Sequence, residues 1–158
     1  KTPKKFLKVN SVLRNNIKKE LNINRNKKIV GISWRSFKSS LRYLKNIDLK
    51  ELGLIFKNLE IELVNLQYGE VDDEISDFVK KTNIVIHKIK HDIKKDLDAL
   101  TSLIDLCDLV ISTDSVTVRL SGAINKETWL LIPNVSTFFY QLNTVLRRSL
   151  ILGPYKYI

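Results

Sequence analysis

From residue 28 onward, short apolar segments alternate with longer amphipathic ones, and this alternation restricts the possible folds more than any other feature. The segments typical of buried strands are residues 28–33, 61–66, 83–87, 109–112 and 128–132. The segments with helical spacing of apolar residues are 48–56, 71–80, 96–106, 116–124 and 138–147. Strand and helix alternate about every 25 residues, which predicts an α/β fold with a Rossmann-like parallel sheet and helices on both faces. Ligands bind such sheets at the carboxyl ends of the strands, so the residues after each strand are candidate site residues.

Length and composition indicate one globular domain. The chain has 158 residues, of which 44% are hydrophobic and 28% are charged, and this is enough to bury a core. Its apolar runs are too short to cross a bilayer, and its basic start lacks the apolar stretch of a signal peptide. The single cysteine, Cys107, excludes an internal disulfide and is expected to be a buried, inert thiol. We therefore expect a cytoplasmic protein without a transmembrane segment.

The net charge of +10 is concentrated in the first 28 residues. These hold ten Lys or Arg and one acid, Glu20, which gives +9, whereas the remaining seventeen bases and sixteen acids give +1. A basic leader can bind nucleic acid or an anionic membrane. Because Lys, Asn and Ile are abundant throughout the chain, a general compositional bias explains the leader better, and we do not expect nucleic acid as a partner.

The leader also carries one apolar stripe at helical spacing, and it consists of Val9, Leu13, Ile17 and Leu21. The stripe predicts a helix, capped by Asn10 or Ser11, that packs on the body or on a missing neighbour. We divide the chain into a basic linker, residues 1–27, and an α/β domain, residues 28–158. Because the sequence has no methionine, we expect a piece cut from a longer protein.

Basic and hydroxyl side chains follow the first predicted strand. Arg35 and Lys38 lie there among three serines, just after Trp34. Together with backbone amides they could bind phosphate. A solvated basic loop accounts for the same residues equally well.

The fourth predicted strand runs into a helix through a turn of small hydroxyl residues. Free amides at the helix start, beginning with that of Val116, attract anions, and the hydroxyls of Ser115 and Thr117 add donors. Asp114 could cap the helix, or it could orient the turn while the amides hold a diphosphate. The turn matches neither the Walker sequence nor the dinucleotide-binding glycine pattern.

The second predicted strand is followed by Gln67, Gly69 and Glu70. The glycine permits a sharp turn, and the two polar side chains could hold the base or ribose of a nucleoside. From these residues alone, a turn followed by an acidic helix start is the better interpretation. His87 and His91 lie four residues apart but on a strand end and a loop, so we expect no metal site.

Several segments, taken in order, resemble one enzyme family. They are Trp34-Arg35, Leu66-Gln-Tyr-Gly-Glu70, and residues 105–112, 114–126 and 129–133. The ordered set resembles the carboxyl-terminal domain of heptosyltransferase-like GT-B glycosyltransferases, especially the bacterial form attached to tetratricopeptide repeats. The likeness extends from residue 6 to residue 133. The resemblance implies that the last strand or helix of the family domain is cut off beyond Ile158. It is the order of the segments, more than any one of them, that is specific.

The resemblance implies that the chain is the half of a GT-B enzyme that binds a nucleotide sugar. It implies that Arg35 and Lys38 approach the phosphates, that Gln67 and Glu70, flanking Gly69, contact the nucleoside, and that residues 114–117 hold the diphosphate. The glycan or protein acceptor and the catalytic carboxylate would belong to an amino-terminal domain of the same chain. No catalytic residue is therefore assigned here.

Two residues depart from the family pattern, which usually has histidine at the position of Arg119 and proline at that of Glu127. Arg119 could still donate to a phosphate, or it could face solvent in a domain that has lost activity. We expect the leaving diphosphate to be stabilised without metal or cofactor by Arg35, Lys38 and the helix at Ser115. The alternatives are a non-catalytic scaffold of the same fold and a nucleic-acid-binding module that uses the leader.

Overall fold

A parallel β-sheet forms the centre of the computed structural model, which describes residues 5–24, 26–36, 46–132 and 149–151. Its strands are β1 (Lys28–Ser33), β2 (Ile61–Asn65), β3 (Ile86–His87), β4 (Leu109–Thr113), β5 (Thr128–Ile132) and β6 (Ser149–Ile151). They lie in the order β3-β2-β1-β4-β5-β6, and each neighbouring pair is parallel. The predicted Rossmann-like α/β fold is confirmed.

Helices connect the strands and also precede them. Those described are α1 (Ser11–Leu21), α2 (Leu49–Phe56), α3 (Asp72–Thr82), α4 (Leu97–Leu106) and α5 (Val116–Ala123). Asp48 and Asp96, where we predicted the first helical residues, are the N-caps of α2 and α4. Their carboxylates accept hydrogen bonds from the N–H groups of Lys50 at 2.9 Å and Ala99 at 2.8 Å, as favoured helix caps do. None of the helices in these ranges is long and apolar enough to cross a bilayer.

The third and last strands differ from the prediction. The third was predicted over residues 83–87 but begins at Ile86, because α3 continues through Thr82 and ends at Asn83 in the left-handed conformation, with φ of 58°. Asparagine tolerates this conformation and so ends helices. β6 was not predicted at all. The predicted helix over residues 138–147 lies outside the described residues.

Alternate residues of the central strands β1, β2 and β4 face two separate apolar layers. Val30 and Leu63 face the layer that contains α2 and α3. Val64 and Val110 face the other layer, which contains α1 and α4. This alternation follows from the two-residue repeat of a strand. The two layers cover the central strands on both sides, and this burial explains why the sequences of these strands are apolar almost throughout.

Cys107 lies in the second of these layers and is 1% exposed. Burial raises the pKa of its thiol to about 12, and the Sγ atom donates to the Leu103 carbonyl at 3.3 Å. A neutral, buried thiol is a poor nucleophile, so the prediction of a buried and inert cysteine is confirmed. Gly31 of β1 packs against the Cys107 and Leu66 side chains. A Cβ at residue 31 would lie 2.8 Å from Cys107 Sγ and 2.5 Å from Leu66 Cδ1.

The leader helix packs on the body of the domain, which decides between the two alternatives left open by its apolar stripe. Ile17 and Leu21 are buried in the same layer as α4. Arg14 Nε donates to Asp105 Oδ2 at 2.5 Å and fixes α1 to the end of α4. The N-cap is Asn10, whose Oδ1 accepts from the Leu13 N–H at 3.1 Å.

Candidate functional site at the carboxyl edge of the sheet

The strand order reverses between β1 and β4, and the candidate site lies where these two strands end. Ile32 of β1 pairs with Asn65 of β2, and Ser33 pairs with Ser112 of β4. The turns that follow β1, β2 and β4 therefore leave the sheet side by side. This is the position at which open parallel sheets bind ligands, and it is where the sequence placed the candidate residues.

The Gln67 side chain joins the turns after β1 and β2. It is 1% exposed, and its Oε1 accepts hydrogen bonds from Ser33 Oγ at 3.1 Å, the Trp34 N–H at 3.0 Å and the Arg35 N–H at 2.8 Å. Its Nε2 donates to the Tyr68 carbonyl at 3.1 Å. The structure thus gives this side chain internal partners, whereas the resemblance had implied a contact with a nucleoside.

The Asn65 side chain stabilises the turn after β2 through the backbone of Gln67. Its Oδ1 accepts from the Gln67 N–H at 2.9 Å, and its Nδ2 donates to the Gln67 carbonyl at 3.1 Å. The turn then passes through Gly69, which has a φ of 91°. This left-handed conformation favours glycine, so the predicted sharp turn is confirmed. Glu70 follows and is exposed.

Arg35 reaches from the turn after β1 toward the start of α3. One guanidinium nitrogen, Nη2, lies 3.1 Å from Glu74 Oε2 and donates to the Glu70 carbonyl at 3.3 Å. The Arg35 side chain is 26% exposed. The structure therefore places this predicted phosphate ligand beside the turn after β2. Lys38, the second predicted cation, lies outside the described residues.

The start of α5 offers backbone N–H groups and hydroxyls. Ser115 is the N-cap, and within the described residues its side chain does not cap the helix. Its Oγ lies instead 3.1 Å from Ser112 Oγ. Thr113 and Thr117 are both 0% exposed, and their hydroxyls have no hydrogen-bond partner in the part of the chain that the structure describes. Val116, predicted to offer its amide, is the first residue of the helix.

Asp114 is not the N-cap of α5, which is one of the two roles that the sequence left open for it. The N-cap of α5 is Ser115, so Asp114 lies one residue too early for that role and belongs to the turn. Its Oδ1 lies 3.5 Å from Arg119 Nη2. The Arg119 side chain is 72% exposed, and it stands within the first turn of the helix.

A cleft of about 800 Å³ lies beside these turns, between the start of α3 and the segment after β3. It is lined by six acidic side chains, namely Glu70, Asp72, Asp73, Glu74, Asp77 and Asp92. Three basic side chains also line it, namely Arg35, Lys88 and His91. The acids outnumber the bases, so the cleft disfavours a phosphate and favours hydroxyl or amino groups.

The wall formed by residues 88–93 was missed by the sequence reasoning. Lys88 forms an ion pair with Asp72 across the cleft. On the other side, Glu20 of α1 accepts a hydrogen bond from the Lys90 N–H at 2.6 Å and lies 4.0 Å from His91 Nδ1. The one sequence feature that points to this wall is its place after a strand that ends at the same edge of the sheet.

The two histidines have carboxylate neighbours. His87 Nε2 lies 2.8 Å from Glu62 Oε2, and His91 Nδ1 lies 4.0 Å from Glu20 Oε2. Among the residues that the structure describes, no group of three or more His, Cys, Asp or Glu side chains is arranged to hold a metal ion.

Comparison with solved structures defines the class of fold: it is a Rossmann-like α/β fold that matches domains of GT-B glycosyltransferases. A glycosyl transferase family 9 protein from Veillonella parvula matches with a TM-score of 0.67 at 13% identity, over 94% of this chain and 42% of that one. The E. coli ADP-heptose lps heptosyltransferase II matches with a TM-score of 0.64 at 13% identity, over 92% of this chain and 44% of that one. The chain thus spans less than half the length of both.

Two further comparisons bear on the sequence. No family model matches the chain. Protein FlbA of Caulobacter vibrioides is 29% identical over 104 residues, which make up 65% of this chain and 17% of that protein.

Proposed function

We propose that this domain binds a nucleoside diphosphate sugar and serves as the donor-binding half of a glycosyltransferase. The observation that carries the proposal is the start of α5, which lies at the switch point of the sheet without a cap from the Ser115 side chain. Amides at such a helix start hold phosphate oxygens, and the helix dipole favours their charge. The fold shared with heptosyltransferases supports the same class of substrate.

The charges along the carboxyl edge support one orientation of this ligand. The cleft beside β2 and β3 is rich in carboxylates, which repel phosphates. The start of α5 offers amides, and the hydroxyls of Thr113 and Thr117 lie buried beside it. We therefore assign the diphosphate to Ser115, Val116 and Thr117 and the nucleoside to the cleft.

The nucleoside end of the ligand would lie over the turn after β2. Glu70 is exposed there, and a carboxylate accepts hydrogen bonds well from ribose hydroxyls. Gly69 lets the backbone approach the ligand closely. Gln67, beneath the turn, supports it from inside.

The cations around the site have distinct roles in this proposal. Arg35 contacts Glu70 and Glu74 at the border between the cleft and the switch point, where a bidentate guanidinium could also reach a phosphate. Arg119 stands near the start of α5 and is oriented by Asp114. Lys38 stays in the proposal from the sequence alone.

The chemistry assigned to these residues is stabilisation of the departing diphosphate. Helix-end amides and guanidinium groups neutralise its charge without a metal ion. The acceptor site and the general base that deprotonates the acceptor are assigned to a segment outside this chain, since the chain spans 42% of the family 9 structure. A tetratricopeptide-repeat segment ahead of the domain is part of the same proposal, as are a bacterial source and the cytoplasm.

Titration calorimetry tests the proposal with ADP, UDP and GDP and with the corresponding nucleosides. We expect at least one diphosphate to bind more tightly than its nucleoside, because the amides of α5 contribute only when phosphates are present. If a nucleoside binds as tightly as its diphosphate, the amides of α5 do not contribute to binding and the ligand site does not include them. The absence of binding for all three diphosphates would overturn the proposal.

A non-catalytic scaffold of the same fold is the second candidate, and the contact between Arg119 and Asp114 favours it. In a scaffold, the Asp114 carboxylate would use Arg119 as a structural partner, and no phosphate would compete for it. The same titration separates the two functions, since a scaffold binds none of the diphosphates. Transfer from any donor is then absent even when the full-length protein is supplied with acceptor.

A further inference from the structure

The Gln67 side chain continues the hydrogen bonding between β1 and β2 beyond the end of the sheet. The last pair in the register of these strands is Ile32 with Asn65. Past that point the Trp34 and Arg35 N–H groups donate to Gln67 Oε1, at 3.0 Å and 2.8 Å. One side-chain oxygen thus serves as the acceptor for two consecutive backbone N–H groups.

This arrangement concentrates several donors on one buried atom. Gln67 Oε1 also accepts from Ser33 Oγ at 3.1 Å, so three donors share an oxygen that has two lone pairs. Both Ser33 and Trp34 are 0% exposed, which keeps water from replacing the acceptor. Loss of Oε1 would leave buried donors unpaired, and the turn would have to move to satisfy them.

The same turn carries Arg35, whose guanidinium makes a second connection to the β2 side. It contacts the Glu70 carbonyl and Glu74 Oε2 at the edge of the cleft. Gln67 holds the Arg35 backbone, and the Glu70 and Glu74 oxygens hold its side chain. The position of the guanidinium therefore depends on both connections.

We propose that Gln67 is a positioning residue, which fixes the turn after β1 so that the Arg35 guanidinium is held at the border between the cleft and the start of α5, where it would contact the diphosphate of the ligand. This inference rests on the proposed function, because it assigns a role in binding that same ligand. Gln67 itself touches no phosphate in this role and acts through the backbone of Arg35.

Two variants distinguish the effect of losing the Oε1 acceptor from the effect of changing the size of the side chain. Gln67→Met keeps the length and removes both the Oε1 acceptor and the Nε2 donor to the Tyr68 carbonyl, whereas Gln67→Glu removes the donor and keeps an acceptor at the place of Oε1. Thr101→Val is the matched control, since the Thr101 hydroxyl is a buried donor to the Leu97 carbonyl at 2.7 Å on α4, away from the turns. Amide hydrogen exchange and titration calorimetry are measured on each folded chain.

In Gln67→Met, we expect the Trp34 and Arg35 amides to exchange about tenfold faster or more, and the tightest-binding diphosphate to bind about tenfold more weakly. The corresponding nucleoside should lose less affinity, because the guanidinium acts on phosphates. Gln67→Glu should restore slow exchange at both amides. Thr101→Val should change neither property.

The two hypotheses fail in different ways. If the unsubstituted chain binds no diphosphate, the proposed function is overturned, and with it the role of Gln67. If the chain binds and Gln67→Met binds equally tightly, or if exchange at the two amides is unchanged, the positioning role is overturned and the proposed function stands. Equal losses for diphosphate and nucleoside would also contradict it, since they indicate a general disturbance of the cleft.

Discussion

Replacement of Thr117 by valine should raise the free energy of unfolding and weaken ligand binding at the same time. Thr117 is 0% exposed, and its Oγ1 has no hydrogen-bond partner among the described residues. A buried polar atom left unpaired costs roughly 1–3 kcal/mol. Valine has nearly the same shape and a similar helix propensity, so we expect Thr117→Val to raise the free energy of unfolding by about 1 kcal/mol.

The unpaired hydroxyl has a function if it donates to the bound diphosphate. One such hydrogen bond to a charged acceptor contributes about 1.5 kcal/mol, so its loss should weaken diphosphate binding about tenfold. Nucleoside binding should be unchanged, because the ribose and base lie over the turn after β2 in our assignment. A gain in stability combined with a loss of affinity is the pattern of a site residue that the fold itself does not need.

Urea unfolding and titration calorimetry measure the two effects, with Thr101→Val as the control. Thr101 is also buried, but its hydroxyl already donates to the Leu97 carbonyl at 2.7 Å. Its loss should therefore lower the free energy of unfolding by about 1 kcal/mol and leave ligand affinity unchanged. If Thr117→Val is destabilised as much as the control and binds the diphosphate normally, the hydroxyl has an internal partner and the reasoning is refuted.

Two further predictions concern the amino half of β1. Gly31→Ala should lower the free energy of unfolding by about 1–3 kcal/mol in urea titration, because the new Cβ would overpack the core, 2.5 Å from Leu66 Cδ1; an unchanged midpoint would mean that the core yields freely. Burial alone would raise the pKa of Asp108, but the Ile29 N–H and the Lys28 ammonium together hold it below its usual 3.8. The stability gained from that carboxylate is present above the unfolded-state pKa and is lost as the pH falls through the lowered folded-state pKa. Asp108→Asn should therefore be less stable than the unsubstituted chain at pH 7, by under about 1 kcal/mol at this exposed position, and the gap should close as the pH falls through the lowered pKa of Asp108; a gap that persists unchanged in acid would contradict an ionic origin.

The sequence pattern identified the sheet because its central strands are buried on both faces. β1 and β5 begin and end where the apolar segments 28–33 and 128–132 begin and end. β3 was predicted three residues too long, since the apolar run from Ile84 does not reveal that Asn83 ends α3 in the left-handed conformation. In this case a local backbone preference, and not hydrophobic periodicity, decided the boundary.

The candidate site was only partly predictable, and the reason is the length scale of its contacts. The three turns could be placed because topology brings the carboxyl ends of parallel strands to one edge. The donors to Gln67 Oε1 are 32 to 34 residues away in the sequence, and no spacing rule links an amide to donors at that distance. A polar residue after a strand thus looks equally suited to a ligand and to a neighbouring turn.

The leader helix is connected to the cleft as well as to the core. Glu20 of α1 accepts from the Lys90 N–H at 2.6 Å, and Lys90 belongs to the segment that forms one wall of the cleft. Because Ile17 is 0% exposed in the layer around α4, removal of the leader would open the core and release this wall together. A nucleic-acid role for the basic leader is therefore better tested by charge reversal at exposed Lys5, Lys8 and Lys19 than by deletion. Salt-sensitive binding that disappears in such a variant, with the fold intact, would assign that role to the leader.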